Sequence, residues 1–159
     1  MKKVFVFVLI MCLITCCITI SYYLSSSNEE ITVVLYPNET NTGTHHFKVN
    51  SDGRMIIEID NFQGISSSEL FLSKEQLSVL YALADEIQSQ KHTSLPLAND
   101  AMHIKIEYND LVLEQEFSKM SPLVKRLVSE LVKIYPVKFG NYVITSEQSG
   151  ELSLSVQKE

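Results

Sequence analysis

The stretch LSKEQLSVLYALADEIQSQK, residues 72–91, decides the fold, and the chain is best read outward from it. Ser73 is an N-cap residue, because its hydroxyl can accept from an amide that has no partner inside a helix. Gln76, three residues on, completes an S-x-x-Q capping box, and Leu72 and Leu77 have the spacing of a hydrophobic staple. Leu77, Leu80, Ala84 and Ile87 recur at steps of three and four, with Tyr81 and Leu83 widening the stripe. Glu75, Asp85, Glu86, Gln88 and Gln90 fall mainly off that stripe. The spacing predicts an amphipathic helix that packs on a sheet.

The flanks supply the strands. ITVVLY, residues 31–36, is β-branched and apolar and is ended by Pro37. Phe47 and Val49 alternate with polar residues, Asn50-Ser51-Asp52-Gly53 forms a turn cluster, and Met55, Ile57 and Ile59 resume the alternation. Residues 63–68 read as a polar connection, and residues 69–72 lead into the helix, with room for a short strand. Beyond the helix, residues 92–99 form a loop carrying Pro96. Met102, Ile104, Ile106 and Tyr108 alternate, Asn109-Asp110 turns the chain, and Leu111, Leu113 and Phe117 alternate back around Gln115. A second helix starts near Ser121 with Pro122 at its first position. Its stripe is Val124, Leu127, Val128, Leu131 and Tyr135, and Pro136 closes it. A last hairpin spans residues 142–145 and 152–156 across Ser149-Gly150. Hairpin followed by Ser-capped helix thus occurs twice, as a repeat of layout without sequence similarity. The expected fold is α+β, an antiparallel sheet of about five to seven strands with both amphipathic helices on one face and water on the other.

The first thirty residues differ in kind. Lys2 and Lys3 precede an uncharged apolar run from Val4 onward, and polar residues 25–30 follow. The expected organisation is a membrane anchor or signal segment at 1–24, a polar spacer at 25–30 and a single extracytoplasmic domain at 31–159. Residues 4–24 would span about 31 Å as a helix, enough for a retained anchor. Leu13-Ile14-Thr15-Cys16 resembles a bacterial lipobox and makes Cys16 a candidate site of lipid attachment. Thr15 stands where that signal has Gly, Ala or Ser, and the residues after Cys16 stay apolar. Ser25 and Ser27 are the small residues that would precede cleavage at Asn28. The order of preference is retained anchor, lipoprotein, cleaved signal peptide. All three leave the domain outside the cytoplasm.

Composition narrows the chemistry. Cys12, Cys16 and Cys17 all lie in the apolar segment, so the exported part has no disulfide framework. With Lys2, Lys3, Glu29 and Glu30 set aside, residues 31–159 hold 11 Lys or Arg against 17 Asp or Glu, a net charge of −6. An acidic domain without a basic stripe argues against nucleic acid, anionic lipid and polyanionic wall polymers as partners. No metal or cofactor is expected. His45 and His46 are adjacent on a strand and point to opposite faces, His92 and His103 lack ligand spacing, and no HExxH occurs. Solvated or strand-end histidines are the favoured reading. No G-x-S-x-G elbow exists, and five glycines form no phosphate-cradling loop. The alternating carboxylates Glu58 with Asp60 and Glu114 with Glu116 read as the wet face of a sheet.

Leu72, Ser73, Glu75, Leu80, Asp100, Ile104 and Ile106, in this order of strands and helix, give residues 31–135 a layout that resembles emfourin-type domains. Those are small bacterial α+β proteins associated with inhibition of metallopeptidases. The resemblance implies a binding domain with a peptidase as its partner, although the glycine-rich start of that family is missing after Ile31. The functional expectation is a membrane-tethered domain, without catalytic residues, that binds an envelope or extracellular protein. The alternatives are an envelope hydrolase using His92 and Asp100, with His103 or a strand carboxylate, and a purely structural envelope component. A binding surface is expected in the loops at 38–43 and 92–99 or on the sheet face opposite the helices.

Overall fold

β1 (Glu30–Tyr36) lies in the interior of the sheet, and its sequence says why: Ile31, Val33 and Leu35 are buried on one face and Val34 on the other. The computed structural model describes residues 29–37, 43–92, 97–98, 101–139, 142–146 and 152–156. After β1 come β2 (Thr44–Asn50), β3 (Arg54–Asn61), β4 (Gly64–Phe71), α1 (Lys74–Ser89), β5 (His103–Tyr108) and β6 (Leu111–Glu116). A single 3-10 turn (Phe117–Lys119), α2 (Pro122–Ile134), β7 (Val137–Phe139), β8 (Tyr142–Ser146) and β9 (Leu152–Val156) follow. The main sheet is wholly antiparallel, in the order β4-β3-β2-β1-β5-β6. The fold is α+β, with two helices on this six-stranded sheet.

Register explains the core. Ile57, Phe47, Val33, Ile106 and Leu113 lie opposite one another on successive strands and make one apolar row across five of the six. That row joins Leu80, Leu83, Ala84 and Ile87 of α1 and Val124, Leu127, Val128 and Leu131 of α2 in one core cluster. The edge of the Phe47 ring meets Tyr135, with centroids 6.3 Å apart.

α1 starts as its sequence predicts. The Gln76 amide donates to Ser73 Oγ at 3.2 Å, and the Ser73 amide donates to Gln76 Oε1 at 2.8 Å. Ser73→Ala is expected to destabilise the domain by about 1 kcal/mol, read as a fall in the thermal midpoint. An unchanged midpoint would mean that water replaces the cap without loss. Ser121 caps α2 by accepting from the Val124 amide, with Pro122 at the first turn. Two tyrosines strap α1 to the sheet. Tyr108 donates to Asp85 at 2.8 Å, and Tyr81 donates to the Glu29 carbonyl at 2.5 Å, with the Val49 carbonyl 3.2 Å away.

Two of the three predicted turns are present, and the third, Ser149-Gly150, lies outside the described residues. The Gly53 amide donates to the Asn50 carbonyl and Gly53 has φ +90°, while Asn109 turns β5 into β6 with φ 51°.

Three expectations need correction. Residues 64–68 are not a polar connection: with the short strand anticipated at 69–72 they form β4, an eight-residue strand paired with β3 along its length. Phe117 does not continue β6; it opens the 3-10 turn, and its amide donates to the Met102 carbonyl. The C-terminal hairpin is not part of the main sheet. With β7 it forms a separate sheet, β7-β8-β9, against α2, where Ser129 and Ser146 hydroxyls are hydrogen-bonded. Among the described residues no helix is long and apolar enough to cross a membrane. The expected anchor at 1–24, with Cys16, lies outside the described residues.

Candidate functional site

Among the described residues, the side chains singled out for chemistry do not converge on one site. His45 is near the start of β2 on its helix side and only 3% exposed, so it is a strand-end histidine and not a solvated one. Burial, reinforced by the neighbouring His46, pushes its pKa down to about 4. His46 lies on the opposite face between Val34 and Glu58, so the two rings share no ligand. His92 reaches back to α1, with Nε2 2.6 Å from the Ile87 carbonyl. His103 stacks on Tyr36, ring centroids 4.4 Å apart, and its Nδ1 is 3.3 Å from the Ala101 carbonyl. Asp100 lies outside the described residues, as does most of the loop at 38–43. Among the described residues, no three His, Cys, Asp or Glu side chains come together as a metal site.

The open sheet face is mixed, and both of the lysines in its two central rows are paired with glutamates. Reading across the strands, one row runs Glu58, His46, Val34, Lys105, Glu114 and the next Ile56, Lys48, Thr32, Glu107, Val112. Lys48 pairs with Glu58 and Lys105 with Glu107, each at 2.7 Å. The Lys48 hydrogen bond holds the Glu58 pKa below the ordinary carboxylate range, and the Glu107 hydrogen bond raises that of Lys105. Such solvent-accessible pairs contribute little stability, and each offsets its own charges, leaving Glu114 as the unmatched charge of these rows. Glu116 departs from the wet-face expectation. It is 7% exposed, accepts from the Ala98 amide at 3.1 Å and pairs with Lys119 at 2.7 Å, tying the loop after α1 to the end of β6. The Lys119 hydrogen bond, then that from Ala98, lowers its pKa. Gln115, noted in the sequence only as a spacer, accepts from the Ser121 amide at the start of α2.

What remains is the β4 edge. Gly64, Ile65, Ser66, Ser67, Ser68, Glu69 and Phe71 are all exposed, so neither face of β4 is covered along most of its length. The Leu72 amide donates to the Gly53 carbonyl, which fixes the phase of the β3–β4 ladder. In an antiparallel ladder such donations alternate, so Gly64, Ser66, Ser68 and Leu70 direct their amides at β3. The amides and carbonyls of Ile65, Ser67, Glu69 and Phe71 point off the sheet, where no described strand lies. Phe62, Ile65 and Phe71 are 74%, 71% and 77% exposed, all within this hairpin arm. Edge strands are usually guarded by lysine, proline or a bulge; β4 has one charge, Glu69, and none of these. The other edge, β6, carries two glutamates, and the 3-10 turn follows directly.

Four of the positions behind the emfourin-type resemblance serve the fold here. Leu80, Ile104 and Ile106 are core residues and Ser73 is a helix cap. No protein-family model matches the chain, and neither the curated proteins nor the solved structures contain a match. The surface must therefore be read from its own chemistry.

Proposed function

We propose that this chain is a membrane-tethered, extracytoplasmic interaction domain that recognises an envelope or extracellular protein by accepting a strand at the β4 edge. The observation that carries the reading is that edge: four outward amide–carbonyl sets, one charge, and Phe62, Ile65 and Phe71 exposed beside them. In strand addition the backbone supplies affinity and alternate side chains supply selectivity. The lysine-led apolar run at the N-terminus and the lack of cysteine after Cys17 support export and tethering. The structural contacts of His92, His103 and Glu116 favour binding over hydrolysis.

The test is position-specific photocrosslinking in intact membranes. A photoreactive p-benzoylphenylalanine in place of Ile65 is expected to give protein adducts, and one in place of Val112, exposed on the other edge, far fewer. Equal labelling from both edges, or none from position 65, would overturn the reading. A peptidase recovered in the adduct would turn it toward inhibition.

A further inference from the structure

We infer that the strand accepted by β4 is the β4 of a second copy of this chain, so that two domains join into one continuous twelve-stranded sheet. The inference rests on the proposed edge-binding role and names its partner. Two copies pair antiparallel about a two-fold axis perpendicular to the sheet, which keeps the helix layers of both on the same side. Such an axis pairs residues of equal parity, and the outward groups of β4 all belong to odd-numbered residues. With the axis at Ser68, Ile65 lies opposite Phe71 of the second copy and Ser67 opposite its Glu69. Both pairs are then hydrogen-bonded, the two most exposed apolar side chains of the strand cover each other, and the two Glu69 carboxylates are not opposed. An axis at Ser67 sets Ile65 against Glu69 instead, which makes it the poorer register. Ser66 and Ser68, exposed on the helix side, leave room for the second domain there. The association also closes. Each copy uses its β4 once, and β6, with its two glutamates, is left as the outer edge.

The register makes Ser68 face itself across the axis, and this gives a test that misfolding cannot imitate. Full-length chains labelled with donor and acceptor dyes are co-reconstituted in phosphatidylcholine vesicles and read by energy transfer. Ser68→Lys and Ser68→Glu each place like charges opposite one another, with an expected weakening of about fivefold. An equimolar mixture of the two is expected to return to within about twofold of the parent, because Lys now faces Glu. Ser67→Pro removes an outward amide without touching the β3 ladder and is expected to weaken transfer as well. Transfer that ignores both charges, or a mixture that recovers nothing, would overturn the inference; the first outcome would assign the association to the N-terminal segment. A position-65 photoadduct heavier than the chain by something other than one more chain would also overturn it, while leaving the edge-binding role intact. No adduct at all would remove both.

Discussion

Replacing Phe47 with alanine is expected to destabilise the domain by about 3–5 kcal/mol. Phe47 is fully buried at the second position of the five-residue apolar row, with Val33 and Ile57 on either side and the Tyr135 ring against its edge. Truncation removes the transfer energy of the ring and leaves a cavity that rigid neighbouring strands cannot fill. Against a total stability of about 5–15 kcal/mol this is a large fraction. Urea denaturation followed by far-ultraviolet circular dichroism is the measurement. Val112→Ala, at a site 64% exposed, is the control and should shift stability by less than about 0.5 kcal/mol. Comparable losses for the two variants would mean that the row does not organise the core.

The second large effect is acid destabilisation through His45. Its folded-state pKa, about 4, lies below the ordinary 6.5, so between these values the unfolded chain binds a proton that the folded chain refuses. Stability is therefore complete above about pH 6.5 and declines as the pH falls toward 4, by about 3 kcal/mol in all. Glu58 and Glu116 act at the acid end of this range. Their folded-state pKa values are depressed, so their contributions are present above the usual carboxylate range and lost as pH falls below it. His45→Gln should flatten the slope between pH 6.5 and 4 and leave the steeper loss at lower pH. Parallel slopes in parent and variant would assign the acid sensitivity elsewhere.

The elements legible in the sequence are those whose signals are local. α1 declares itself through Ser73, Gln76 and a stripe with helical period, and α2 through Ser121, Pro122 and its own stripe. The hairpins β2–β3 and β5–β6 follow from alternation around Asp52-Gly53 and Asn109-Asp110. The first five residues of β4 escaped because GISSS has no alternation to read: with little covering it on either side, its strand form comes from the ladder with β3. A signal was nonetheless present in Gly64, which takes φ +125° at the mouth of a two-residue turn after β3. The strand order was equally hidden, because β1 meets β5 across a separation that sets Ile31 opposite Tyr108, and no local pattern encodes that. The burial of His45 and Glu116 was hidden for a related reason. Residue type favours exposure for glutamate and is neutral for histidine, and only tertiary packing buries them. The exposed Ile65 and Phe71 lie on the sheet face opposite the helices, as one expectation had it, and the loops at 38–43 and 92–99 lie mostly outside the described residues; the edge itself was hidden because it is a property of strand order.

The position of β1 has a mechanical consequence. Glu29, the first described residue, is fastened to α1 by Tyr81 and leads at once into an interior strand hydrogen-bonded on both sides. Tension between the chain start and anything gripping β4 must cross the β1–β2, β2–β3 and β3–β4 ladders in turn. When the pull runs along the strands, each ladder is loaded in shear, with many hydrogen bonds resisting together. The same pull applied across the strands would instead peel each ladder apart one hydrogen bond at a time.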